Sequence, residues 1–130
     1  MPDDDLQEIM ELSHHLLESV ANGDWETYEA LCDPTISAFE PEARGHLVEG
    51  MPFHQHYFEL GASNKPINTT ITAPHVRFLG DDVAVVSYIR LLQTLNDDHH
   101  PITQHWEETR VWQRQDGQWQ NVHFHRSTNS

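Results

Sequence analysis

Basic residues are scarce in this chain: 7 Lys and Arg stand against 21 Asp and Glu, for a formal net charge of -14. Such a surface repels phosphate backbones and anionic headgroups, so nucleic-acid and membrane-surface partners are excluded. Cysteine is nearly absent. Cys32 alone rules out an intramolecular disulfide framework, and its apolar neighbours mark it as a buried structural thiol. There is no long hydrophobic run and no basic leader, because Met1-Pro2-Asp3-Asp4-Asp5 precedes an amphipathic stretch. Neither a signal peptide nor a membrane span is expected, and a cytoplasmic location follows by default. With 6 glycines, none forms a phosphate-cradling loop, and no serine is flanked for nucleophilic attack. His123 and His125 lie two apart on one strand without an acidic or cysteine ligand at diagnostic spacing, so no metal and no cofactor is expected.

What is present fits one folded domain over residues 1–130, with short flexible ends at about 1–4 and 128–130. Hydrophobic residues make up 37% of the chain and include four Trp, three Tyr and five Phe, enough to build a core rather than a disordered coil. The 11 histidines can offset part of the negative charge below about pH 6.

Leu6, Ile9, Met10, Leu16, Leu17 and Val20 recur at three- and four-residue steps and predict a one-sided first helix ending near Asn22-Gly23. Asp3 to Asp5 suit its positive end. Asp24 is placed to cap a second helix through Trp25, Tyr28 and Leu31, stopped by Asp33-Pro34. A brief strand over 36–39 and a third helix around Phe53, Tyr57, Phe58 and Leu60, ended by Gly61, come next. From Ile67 the period changes to two. Segments 67–78, 83–95, 102–114 and 118–126, separated by Gly80-Asp81-Asp82, Asn96-Asp97-Asp98 and Asp116-Gly117, predict an antiparallel meander. Helices first and long strands afterwards describe an α+β fold, with N-terminal helices packed in a curved antiparallel sheet.

The strand from Val83 carries Val83, Val85, Ser87, Ile89 and Leu91 on one face and Ala84, Val86, Tyr88, Arg90 and Leu92 on the other. Both faces are largely apolar. A small antiparallel sheet normally keeps one face wet, so a second layer, supplied by another copy of the chain, is expected to cover the outside.

Three of the scarce basic residues alternate onto apolar or aromatic faces. Arg90 falls with Val86 and Tyr88, Arg110 with Trp106 and Trp112, and Arg126 with Val122 and Phe124. A buried guanidinium needs carboxylates, carbonyls or a bound anion, with Glu108, Glu40 and Glu42 as available partners. Where the strands converge, the arginines would line a pocket for a small carboxylate, with His54 and Tyr57 nearby. A self-satisfied internal salt-bridge network is the competing arrangement. For acid–base chemistry, His54, Glu108 and Tyr88 are the available groups.

Several runs resemble the association (hub) domain of calcium/calmodulin-dependent protein kinase II. They are Ser37-Ala38-Phe39-Glu40-Pro41-Glu42-Ala43, His46-Leu47-Val48-Glu49-Gly50-Met51 with Phe53-His54, and Ser63-Asn64-Lys65-Pro66. Tyr88-Ile89-Arg90-Leu91, Glu107-Glu108-Thr109-Arg110-Val111-Trp112 and Asp116 through Ser127 complete the set. The resemblance keeps order and spacing from the first helix to Ser127. It implies the cone-like fold of nuclear transport factor two and ketosteroid isomerase relatives, and a homo-oligomer of dimers in stacked rings, dodecameric or tetradecameric. It also implies an arginine-lined carboxylate pocket at Arg90, Arg110, Arg126, His54 and Tyr57. The loop before Asn64 is about two residues shorter than in the animal kinase domains and lacks their aromatic residue. No kinase, autoinhibitory or calmodulin-binding segment precedes Leu6, so the expectation is a non-catalytic hub with no kinase of its own. The alternative is a small-molecule acid–base enzyme of the ketosteroid-isomerase-like or polyketide-cyclase-like kind, since relatives on this fold host such chemistry.

Overall fold

The computed structural model describes residues 2–43, 45–59 and 67–127, with the side chains of Pro2, Asp3, Glu42 and Tyr57 outside that description. Helix α1 spans Pro2–Asn22 and buries Ile9, Ser13, Leu16 and Leu17 on one stripe, the i, i+4, i+7, i+8 spacing of a core-facing helix. It ends where Gly23 takes φ +67° and the Gly23 and Asp24 amides donate back to Val20 and Ser19 carbonyls. Helix α2, Trp25–Leu31, starts on Asp24, whose carboxylate accepts from the Thr27 amide at 3.2 Å and hydroxyl at 2.7 Å. Helix α3 covers Pro52–Glu59. The expected third-helix end at Leu60-Gly61 and the loop through Pro66 lie outside the described residues.

Strand β1 is Cys32–Phe39, β2 Val48–Glu49, β3 Asn68–Phe78, β4 Val83–Leu95, β5 Pro101–Gln115 and β6 Gln118–Arg126. They form one six-stranded sheet in the order β2-β1-β6-β5-β4-β3. The meander β3 to β6 is antiparallel, as the period-two pattern predicts. The sheet as a whole is mixed, because β1 runs parallel to β6. Pro34 has no N–H to donate and falls in the irregular stretch between Cys32 and Ser37. Asp116 and Gly117 both have positive φ, 52° and 81°, as a two-residue hairpin turn requires.

The sheet's inner face holds the core: Ala84, Val86 and Tyr88 from β4, Trp112 from β5, Trp119 and Phe124 from β6, packed with Ile9, Leu16, Leu17 and Tyr28. A cluster at the sheet's end pins α1 across it. Arg114 pairs with Asp5 at 3.3 Å and Asp82 at 3.2 Å, reaches the Asp81 carbonyl, and lies 4.5 Å over the Trp119 ring. Trp119 Nε1 in turn donates to Glu8 at 3.1 Å.

One register detail corrects the sequence reading. A bulge between Val111 and Trp112 pairs Trp112 with Asn121 and Val111 with His123. The alternation of β6 therefore slips at Val122, which is only half-buried, and Asn121 is the fully buried residue instead.

On the outer face, cross-strand rows join Val85 to Val111, Ser87 to Thr109 and Ile89 to Glu107. Val83, Val85, Leu91 and Val111 are half-buried, and Ile89 is 39% exposed. The chain thus covers the inner face with its own core and leaves an apolar file on the outer one.

Candidate functional site

The inner face closes around Glu108, in the middle of β5 and 2% exposed. Its strand neighbours set the geometry. Tyr88 stands directly opposite on β4 and Arg126 opposite on β6, while Arg110 and Trp106 are two residues away on the same face. Oε1 accepts from the Tyr88 hydroxyl at 2.5 Å and from Arg110 Nη2 at 3.4 Å; Oε2 accepts from Arg90 Nη1 at 3.3 Å and Trp106 Nε1 at 2.9 Å. Both carboxylate oxygens are fully occupied. Burial alone would raise the Glu108 pKa, but Arg110 and Arg90, with the Tyr88 and Trp106 bonds, hold it at about 2.

Arg110 is equally committed. Nε donates to Tyr88 at 3.0 Å and Nη1 to the Asn121 amide oxygen at 2.8 Å, and the guanidinium lies 4.4 Å over Phe124. Asn121 is held by the Val111 carbonyl at 2.9 Å and the His123 carbonyl at 3.0 Å, so the β6 bulge places a buried amide where the guanidinium needs an acceptor. Burial opposes the Arg110 charge, yet Tyr88, Glu108 and Tyr28 more than restore it. Arg90 donates Nε to Thr69 at 3.1 Å and lies 5.2 Å from the Trp106 ring. Burial lowers its pKa against the pull of Glu108, and a guanidinium starting so far above neutrality stays charged. Arg126 lies 5.7 Å from the same indole.

On the helix side, Tyr28 of α2 and His54 of α3 meet at 2.8 Å through Tyr28 Oη and His54 Nδ1. His54 is 4% exposed, and its Nε2 has no partner among the described residues. Burial and then Arg110 push its pKa down to about 4, so the imidazole is neutral at pH 7. Burial raises the Tyr28 and Tyr88 hydroxyls and pushes the Cys32 thiol up to about 12, an inert buried thiol.

These groups enclose a cavity of about 190 Å³ lined by Tyr28, Glu40, His54, Arg90, Glu108, Arg110, Phe124 and Arg126, among others. Of the residues singled out in the sequence, Arg90, Arg110, Arg126, His54 and Glu108 all reach it; the side chain of Tyr57 lies outside the described residues. The salt-bridge network and the pocket prove to be one structure, since Glu108 ties Arg90 to Arg110 in the cavity wall. Sequence reasoning passed over Tyr28, Asn121 and Thr69. Tyr28 reads only as one member of a helix stripe, and Asn121 is hidden by the bulge.

His123 and His125 do not converge on a third ligand. Ser37 Oγ bonds His123 Nδ1 at 2.7 Å, Phe39 packs 5.6 Å from His125, and no group of three potential metal ligands occurs among the described residues. Nor is any described helix long and apolar enough to cross a membrane.

Comparison with known proteins gives a consistent result. The family model for the calcium/calmodulin dependent protein kinase II association domain matches residues 5–130. The chain is 56% identical over 123 residues to the calcium/calmodulin-dependent protein kinase type II subunit delta of Oryctolagus cuniculus, an alignment covering 93% of this chain and 23% of that protein. The association domain of C. elegans CaMKII superposes with a TM-score of 0.92 at 40% identity, covering 97% of each chain. A nuclear transport factor 2 (NTF2-like) superfamily protein from Salmonella enterica, 19% identical, matches at a TM-score of 0.80 over 100% of this chain and 94% of its own, a likeness of fold alone.

Proposed function

The chain belongs to the calcium/calmodulin-dependent protein kinase II association-domain family, and from this premise we propose that it is a homo-oligomerisation hub whose copies meet through the outer face of the sheet. The match falls on the association domain and not on a kinase domain, so the hub is non-catalytic. The observation that carries the reading is the outer file of Val83, Val85, Ile89, Leu91 and Val111, on a face that the core of the chain does not use. Apolar rows of this kind on an antiparallel sheet call for a covering layer, and a second copy supplies a matching one by symmetry. With the hub we propose the assembly class, stacked rings of dimers at the dodecamer or tetradecamer level, and a cytoplasmic location. We also propose that the cavity takes a small carboxylate, held by Arg90, Arg110, Arg126, His54 and Tyr57, with Glu108 as the internal counter-ion.

The interior argues against the acid–base alternative. A proton-transfer group works best with a pKa near the operating pH, whereas Glu108 is held at about 2, His54 at about 4 and Tyr88 well above its usual range.

Val111→Glu tests the proposed contact, because it buries a charge in every copy of an apolar interface while leaving the inner core untouched. The expected result is a sedimenting species reduced to monomers or dimers with unchanged far-ultraviolet circular dichroism. An assembly of unaltered mass would place the contact elsewhere.

A further inference from the structure

The outer face of the sheet is apolar along its middle and ringed by histidine. Cross-strand pairing fixes which side chains share it. Val85 stands between Arg77 of β3 and Val111 of β5, and Val111 is opposite His123 of β6, itself beside Ser37 of β1. In the next row Ser87 stands between His75 and Thr109, and Thr109 is opposite His125, beside Phe39. Ile89 is opposite Glu107, and Leu91 is opposite His105. One histidine from β3, one from β5 and two from β6 therefore surround the file of Val85, Val111, Ile89 and Leu91. His75, His105 and His125 are exposed and His123 is half-buried.

Few fixed charges accompany them. Arg77 follows His75 on β3, Glu107 lies between His105 and Thr109 on β5, and Glu49 of β2 is opposite Ser37. The residues of β4 on this face, alternating from Val83 to Gln93, are uncharged. With one guanidinium against two carboxylates, the face is close to neutral at pH 7. In acid it gains up to four positive charges, because an imidazole ordinarily titrates near pH 6.5. His123, bonded through Nδ1 to Ser37 Oγ at 2.7 Å, is lowered by burial and then by His125, so it charges later than an ordinary imidazole.

In a contact between two copies this face meets its own like. A charged imidazole there costs twice, by desolvation and by repulsion from the partner's histidines. Separated copies keep their histidines in water and bind protons more readily, so linkage makes acid favour separation. The chain as a whole pulls the other way, since protonating its 11 histidines offsets most of a net charge of -14 and eases repulsion at long range. That gain is screened beyond a Debye length of about 8–10 Å, whereas groups inside a contact are closer and drier. The local effect decides. By symmetry a proton excluded from one copy is excluded from the other, so each histidine involved weakens the contact about a hundredfold per pH unit below 6.5.

We infer that acid releases the copy-to-copy contact of the hub, with His75, His105, His123 and His125 as the switch around its apolar file. This rests on the outer-face reading of the hub and adds its regulation.

Light scattering after size exclusion at pH 7.5 and pH 5.5, both above the isoelectric point of about 4.9, tests it on the full chain. The expected result is a large assembly at pH 7.5 that falls to monomers or dimers at pH 5.5 and re-forms on return. Unchanged far-ultraviolet circular dichroism at pH 5.5 separates this release from loss of the fold. The variant combining His75→Gln, His105→Gln, His123→Gln and His125→Gln should stay assembled at pH 5.5. If it fails to assemble at pH 7.5, the three exposed substitutions alone carry the comparison, and they should require a more acid pH for release than the unsubstituted chain. An undiminished mass at pH 5.5, or release of the substituted chains at the unsubstituted pH, would overturn the switch and leave the hub standing. A monomer or dimer already at pH 7.5 would overturn both.

Discussion

Glu108→Gln is expected to destabilise the fold by about 3–5 kcal/mol, the usual cost of leaving buried charge without its partner. The residue is 2% exposed and satisfies Arg90, Arg110, Tyr88 and Trp106 at once. Glutamine keeps the shape but loses the charge, and its amide nitrogen turns a donor towards groups that are themselves donors. Against a typical total of about 5–15 kcal/mol, this loss is large. The check is the urea midpoint at fixed protein concentration, since oligomerisation makes apparent stability depend on concentration. Arg114→Ala serves as the contrast, because its pairs with the half-buried Asp5 and the exposed Asp82 lie within reach of solvent, which screens them, and its loss should cost far less. Equal costs for the two substitutions would refute the central role of Glu108.

Acid should weaken the fold in two successive windows. The His54 pKa is about 4 in the folded chain against an ordinary 6.5, lowered by burial and by Arg110. Between those values the unfolded chain binds a proton that the folded chain refuses, so stability rises with pH through the window and is level above 6.5. Falling from pH 6.5 to 4, the protein should lose about 1.4 kcal/mol per unit from this residue, roughly 3 kcal/mol in all. His123, lowered by burial and by His125, adds in the same direction. Glu108 acts below that: its folded pKa of about 2 against 4.5 gives a contribution complete above pH 4.5 and lost as the pH falls towards 2. Denaturant titrations from pH 8 to pH 4 would show the slope. His54→Phe should flatten the upper window, and an unchanged slope in that variant would exclude His54 as its source.

The pocket was more legible in the sequence than its wiring. Alternation along β4 and β5 was enough to place Arg90, Arg110 and Glu108 on one face, because those strands are long and pair without interruption from Val83 to Leu95. The same logic failed on β6, where the bulge next to Trp112 shifts parity and exchanges Val122 for Asn121. Nothing in the alternation of residues marks a bulge there. The parallel pairing of β1 with β6 was equally hidden, since it joins segments more than eighty residues apart and is fixed by tertiary packing. Asp24, by contrast, was read as a helix cap from its position alone and caps α2 through Thr27, because capping is a local interaction.

The hub itself is tested most directly by absolute mass in solution, measured by light scattering after size exclusion over a range of protein concentration and salt. The prediction is a species of about ten or more copies of the 15.1 kDa chain, unchanged on dilution. A monomer or dimer at every concentration would contradict it, leaving a chain that has the family's fold without its assembly.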